Sequence, residues 1–235
     1  MDRLHHLEKT LPVNLLSCSS YPECEFVVLN YGSKDGMDSW MRNKLGYWIK
    51  KGIVKYYRTQ LPKHYISTHA KNIAHKQATG DILCNLDADN FIIEGYPEYL
   101  VKAINLNSVV VSPSRDVFEI DGSCGKIAVK KEHFYNVGGY DESLNSGWGW
   151  DDVNFQFRTR MKNNLIMIEA DKKFCRVIEH SDTERAKNYR NKNIIETERI
   201  SIDLMYRIEK EGDYVANKNQ NWGFAEDLEY INHEF

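Results

Sequence analysis

Two aspartates set one residue apart, Asp87 and Asp89 in "CNLDADNF", are the first residues of this chain whose type and spacing could do chemistry. They follow the apolar run "ILCNL", and carboxylates beside a hydrophobic core are costly unless a cation meets them. Paired carboxylates are hard oxygen ligands suited to Mg²⁺ or Mn²⁺, and such a metal usually bridges to phosphate oxygens. If the strand "DILCNLD" (81–87) stays extended through both, the alternation of side chains points Asp87 and Asp89 the same way. The competing reading is a solvated turn that happens to hold two acids. Rival phosphate devices are missing, since neither G-x-G-x-x-G nor G-x-x-x-x-G-K occurs.

A second constellation is "GGYDESLNSGWGWDDVNFQFR", Gly138 to Arg158. Gly147 and Gly149 flank Trp148 and make the backbone pliable there. Asp151 and Asp152 then open a helix whose expected apolar side carries Val153, Phe157 and Met161. Acids in a first helical turn are also explained by the helix dipole, and tryptophans by the core. The functional reading is a Gly-Trp loop delivering an acid to a pocket. Tryptophan is a platform for a sugar ring, and the neighbouring carboxylate takes a hydroxyl proton. A third candidate is His180, closing an expected strand "FCRVIEH" (174–180). Beside Asp89, its imidazole would complete a metal shell and favour Mn²⁺ over Mg²⁺.

The elements that must position these groups alternate between β-rich runs and helical periods, the pattern of a mostly parallel sheet flanked by helices. Strands are expected at 25–30, 53–58, 81–87, 108–114, 125–131 and 165–170. In "STHAKNIAHKQATG", Ser67 is expected to cap a helix, Ala70, Ile73, Ala74 and Ala78 to form its apolar stripe, and Gly80 to stop it. Lys71, Asn72 and His75 fall on its other faces. A long amphipathic helix is expected near 187–211, with Ile194, Ile195, Ile202, Met205 and Ile208 on its apolar side, before a loosely held aromatic tail from 217. The 235 residues suit one α/β domain plus a tail. A net charge of −3 without long charged blocks argues against a nucleic-acid footprint. Five scattered cysteines suggest a reducing compartment, and the start "MDRLHHLEK" does not read as a signal peptide.

Taken in order, these motifs resemble a family 2-type glycosyltransferase of the GT-A fold, with a C-terminal part similar to a galactosyltransferase-type domain, over about residues 3–180. Ser33, Asp35 and Gly36 match an S-x-D-G turn. Lys71, Asn72, Gly80, Asp81, Asp87 and Asp89 match the [R/K]-N…G-D…D-x-D pattern, and "GGYDE" with "GWGWDD" matches the acceptor-side signature. The resemblance implies domain boundaries at 1–182, divided into a nucleotide-sugar part (1–115) and an acceptor part (116–182), followed by a helix and tail (183–235). It also implies roles. Asp87 and Asp89 with His180 hold a divalent metal on the diphosphate of a nucleotide sugar, Lys71 and Asn72 lie near the nucleotide, and Trp148 contacts donor and acceptor sugars. Asp151 bonds a sugar hydroxyl, and Asp152 is the base of an inverting transfer. The start departs from the family: "MDRLHHLEKTLP" is no counterpart of the usual first strand of the type "VSIVIPCYN", so an incomplete start or a replacement segment is expected. Asn30 and Tyr31 stand where a nucleobase-binding acid is frequent, and Tyr31 could stack on a base instead.

The expected partners are therefore a UDP-sugar and a glycan or lipid-linked glycan acceptor, with Mn²⁺ or Mg²⁺ as cofactor. The expected place is the cytoplasm, with room for peripheral contact at the inner membrane face. Two other readings stay open: a non-catalytic sugar-binding or accessory subunit derived from such an enzyme, and a sugar nucleotidyltransferase. The second lacks a Gly-rich basic phosphate loop near the N-terminus.

Overall fold

The computed structural model describes residues 1–111 and 123–232. In chain order the elements are α1 (Leu4–Ser17), β1 (Phe26–Tyr31), α2 (Met37–Lys50), β2 (Val54–Thr59), α3 (Ser67–Gln77), β3 (Ile82–Cys84), α4 (Tyr96–Ile104) and β4 (Ser108–Val111). They continue with β5 (Ala128–Lys130), α5 (Lys131–Asn136), α6 (Asp151–Asn163), β6 (Ile166–Glu169), a 3₁₀ turn (Lys172–Phe174), α7 (Asp182–Ala186), α8 (Ile194–Glu211) and β7 (Glu229–Tyr230). The expected α/β alternation is present. The strands, however, form two sheets, ordered β1-β2-β7 and β3-β5-β4-β6. Pairing is parallel for β1/β2 and β4/β6 and antiparallel for β2/β7, β3/β5 and β4/β5, so the architecture is mixed rather than mostly parallel.

Residues 4–17 are helical, and α1 packs Leu11 and Leu15 against Met41, Leu45 and Ile49 of α2 and Val54 and Tyr56 of β2. Each such buried aliphatic side chain contributes about 1.5–3 kcal/mol. A second core joins α4, β4 and β5 through Leu100, Ile104, Val110 and Ala128, and a third joins β3, α5 and α6 through Leu83, Phe134 and Phe155. Among the described residues β1 pairs only with β2 and β3 only with β5. Residues of β1 and β3 both line one cavity of about 1540 Å³.

Several local expectations change. The strand from 81 stops at Cys84, so Asp87 and Asp89 sit in a turn closed by Asn90 N donating to Asp87 O at 3.0 Å, and strand alternation does not aim them. Residues 174–180 are not a strand. They make one isolated antiparallel bridge, Asn90 with Val177, flanked by Phe91 N to Arg176 O (2.9 Å) and Ile178 N to Asp89 O (2.8 Å). Ser67 is the first helical residue of α3 behind Ile66, and Gly80 lies beyond the end, its N–H donating to Glu25. The inward face of α6 is Asn154, Phe155, Arg158 and Thr159, while Met161 is exposed. Burying Arg158 is feasible because it donates to the carbonyls of Val137 and Gly139 and to Asn154.

The helix expected near 187–211 begins only at Ile194, as α8, after the separate short α7 and a non-helical stretch over 187–193, and Ile195 faces solvent, whereas Thr197, Ser201 and Ile208 face inward. The tail is anchored. Strand β7 joins β2, Asp227 accepts from Thr59 Oγ1, Gln60 N and Leu61 N, and Trp222 packs against Phe134 and Tyr135. Residues 112–114 of the expected fourth strand, and the expected boundary at 115–116, lie outside the described residues.

Candidate active site

The turn after β3 and the start of α6 bring their acids to one cavity, lined by Asp87, Asp89, Asp151, Asp152, Lys71, Trp148 and His180. The bridge between Asn90 and Val177 carries His180 to Asp89, with Nε2 2.6 Å from Oδ2. Asn90 Nδ2 donates to the other oxygen, Oδ1, at 2.7 Å. Burial alone would disfavour the Asp89 anion, but the bonds from His180 and Asn90 outweigh it and hold its pKa below the ordinary value. Asp87 behaves oppositely. Burial dominates and pushes its pKa up against the attraction of Lys71, while Asn85 Nδ2 donates to it at 3.1 Å.

Lys71 comes off the middle of α3 and reaches the first turn of α6. Its Nζ donates to Asp151 Oδ2 at 2.8 Å and Asp152 Oδ1 at 2.6 Å, and all three side chains are largely withdrawn from water. Burial works against the ammonium, yet the charges of Asp151, Asp152 and Asp87 raise the Lys71 pKa well above its usual value. Asp152 has its pKa pushed up to about 7 by burial and by Asp151, despite Lys71. Because Oδ1 is taken by Lys71, Oδ2 is the oxygen left for a substrate. Gly125 marks the space before it: a Cβ there would overlap Asp87 Oδ2 and stand 3.4 Å from Asp152 Oδ2. Only hydrogen at that position leaves room between the two carboxylates.

The Gly-Trp loop is clamped rather than pliable. A Cβ on Gly147 would strike Thr197, and one on Gly149 would meet Glu198 Cγ at 2.9 Å, so these glycines let α8 approach the backbone. Thr197 Oγ1 donates to Trp148 O at 2.6 Å and Ser201 Oγ to Gly149 O at 3.1 Å. Trp150 adopts φ 62° as the cap before α6. The guanidinium of Arg185, on α7, stacks 4.8 Å over the Trp148 ring.

Several candidates are already committed to protein partners. Asn72 is buried and committed: Nδ2 donates to Tyr140 O and Glu142 Oε1, and Oδ1 accepts from Tyr140 N. Lys71 is directed at the acids of α6. Asn30 donates to Asp38, and Tyr31 is 2% exposed with its hydroxyl paired to His69 and its ring edge-on to Tyr65. Asp35 accepts from Leu4 N, tying the turn after β1 to the start of α1. Sequence reasoning missed Asn85, Gly125 and Arg185. The first two have no motif of their own, and the third lies on a five-residue helix whose position only the fold defines.

Asp89 and His180 now bond to each other, with Asp87 nearby on the same turn, and carboxylates with one imidazole are donors that would suit Mn²⁺ better than a softer ion. Asp87, Asp89, Asp151 and Asp152 line the cavity together, and Lys71 pairs with the last two, so the Asp87–Asp89 turn is the part whose negative charge a divalent cation would balance.

Comparison with known proteins bears on the family and the fold. The family model for glycosyl transferase family 2 matches residues 4–172. No curated protein sequence matches the chain. Among solved structures, residues 1–349 of TarS from S. aureus superpose with a TM-score of 0.57 at 14% identity, covering 78% of this chain and 59% of that one. The mannosyltransferase PcManGT from Pyrobaculum calidifontis, in complex with GDP-Man and Mn²⁺, gives 0.55 at 21% identity, covering 71% and 51%. The chain thus spans somewhat over half the length of both, and at these identities the likeness carries the fold alone.

Proposed function

The chain belongs to glycosyl transferase family 2 with a GT-A fold, and from that premise we propose that it moves a hexose or N-acetylhexosamine from a UDP-sugar to a glycan hydroxyl with inversion at the anomeric carbon. The observation that carries this reading is Asp152, a half-buried carboxylate with pKa about 7, one oxygen held by Lys71 and the other facing the Gly125 gap. A base poised near neutral pH is the group an incoming hydroxyl requires.

Asp152 Oδ2 takes the acceptor O–H proton as that oxygen bonds to the anomeric carbon. The bond from that carbon to the diphosphate breaks, and its electron pair leaves with the nucleoside diphosphate. Asp89 and His180, with Asp87, would hold a divalent cation, which when bound supplies positive charge to the diphosphate. Trp148 gives the sugar an apolar platform, and Arg185 steadies that ring. Asp151 bonds a sugar hydroxyl with whatever capacity Lys71 leaves it. The acceptor reading, a growing surface or lipid-linked glycan worked on from the cytoplasm, rests on the acceptor-side motif. No helix among the described residues is long and apolar enough to cross a membrane.

The test is Asp152→Asn. The variant should bind UDP with Mn²⁺ as wild type does while transfer falls at least 10²-fold; full transfer activity would remove Asp152 from the mechanism. One observation favours a second reading, a non-catalytic sugar-binding subunit. Among the described residues β1 and β3 line the same cavity without pairing to each other, which leaves the nucleotide end of the site open. Calorimetry separates the two: no UDP binding at millimolar nucleotide with Mn²⁺ supports the subunit, and saturable binding supports the enzyme.

A further inference from the structure

The adjacent histidines of "MDRLHHLEK", His5 and His6, take no part in the proposed transfer. Helix α1 delivers both to one acid of α7: His5 Nε2 lies 2.7 Å from Glu184 Oε1 and His6 Nε2 3.6 Å from the same oxygen. Their rings are 4.1 Å apart. Among the described residues this is the group of three whose ligand atoms all lie within 4.8 Å of one another. His6 is 3% exposed, and its Nε2 stands just beyond hydrogen-bond range of Glu184, so that nitrogen is held beside the carboxylate and away from water.

The geometry points to a second metal site, His5-His6-Glu184, that takes Zn²⁺ and is separate from the Asp89-His180 pair. Two imidazoles and one carboxylate are the ligands of an open zinc site with water in the fourth position. Metal–ligand bonds of about 2.1 Å in a tetrahedron put ligand atoms about 3.4 Å apart. The separation of His6 from Glu184 already matches that edge, and His5 needs to withdraw by less than ~1 Å. Arg3 is the cation now on this acid, with Nη1 2.8 Å from Glu184 Oε1 and Nη2 2.7 Å from the Glu184 carbonyl. The second bond keeps Arg3 beside α7 when the metal takes the carboxylate. The ion would fasten α1 to α7, the helix that brings Arg185 to Trp148. It would also stand next to the other metal position, because the His6 ring stacks 5.3 Å from that of His180. This inference does not depend on the transfer reaction.

The experiment is a titration of the full chain with Co²⁺ alone, read by visible absorption, then displacement by Zn²⁺, with no nucleotide present. Wild type and Asp89→Asn should both give a saturable spectrum of low coordination number that one equivalent of Zn²⁺ abolishes. His5→Gln and Glu184→Gln, checked for folding by circular dichroism, should lose at least tenfold in affinity. Arg3→Met should bind more tightly, since the competing cation is gone. Unchanged affinity in His5→Gln, or a spectrum lost in Asp89→Asn and kept in His5→Gln, would overturn the site. Loss of transfer activity in Asp152→Asn bears on the base alone and leaves this result standing.

Discussion

Lys71→Met is the perturbation that tests most of the site at once. The ammonium lies 2.6 Å from Asp152 and 2.8 Å from Asp151 in a region withdrawn from water. An opposite charge at such range lowers a carboxylate pKa by about 1–3 units. Removing it should raise Asp152 from about 7 by roughly two units. The base must be ionised, so activity is present above its pKa and lost as pH falls through it. At pH 7 the ionised fraction would drop from about one half to about one hundredth, a loss of roughly 50-fold in kcat/KM that recovers toward pH 10. The assay is release of nucleoside diphosphate against pH, with the donor found by scanning nucleotide sugars. Because breaking a buried ion pair costs about 3–5 kcal/mol, Lys71→Arg is the companion variant and should keep the acid limb near pH 7. A Lys71→Met enzyme that stays folded, with its acid limb unmoved, would refute the assignment of Lys71 as the partner of the base.

Gly125→Ala should nearly abolish transfer while leaving the thermal midpoint little changed, because the added methyl competes with Asp87 and Asp152 for the space between them; activity and melting measured on one preparation check this. Asp89→Asn should weaken Mn²⁺ binding in the presence of UDP at least tenfold, read by calorimetry, since it removes charge from the oxygen that faces His180. Cutting the chain after residue 220 should destabilise the fold by several kcal/mol, read by urea unfolding. That cut removes Trp222 from its contact with Phe134, Asp227 from its three donors, and β7 from β2.

The sequence by itself determined the α/β alternation, the family and the acids, because these depend on local period and on the order of short motifs. "LDAD" and "GWGWDD" mark Asp87, Asp89, Asp151 and Asp152 without any knowledge of which element faces which. Tertiary structure decided what each of them meets. Strand alternation could not aim Asp87 and Asp89, since β3 ends at Cys84 and a turn takes over. His180 reaches Asp89 through a single bridge with no periodic signature. Lys71 and Asn72, neighbours in one motif, part company: the first crosses to the acids of α6, and the second holds the backbone of Tyr140. The glycines around Trp148, legible as freedom, serve as clearance for α8. A side chain's partners are set by distances between elements far apart in the chain, and the pKa near 7 that suits Asp152 to its proposed task follows from the burial and neighbours those distances create.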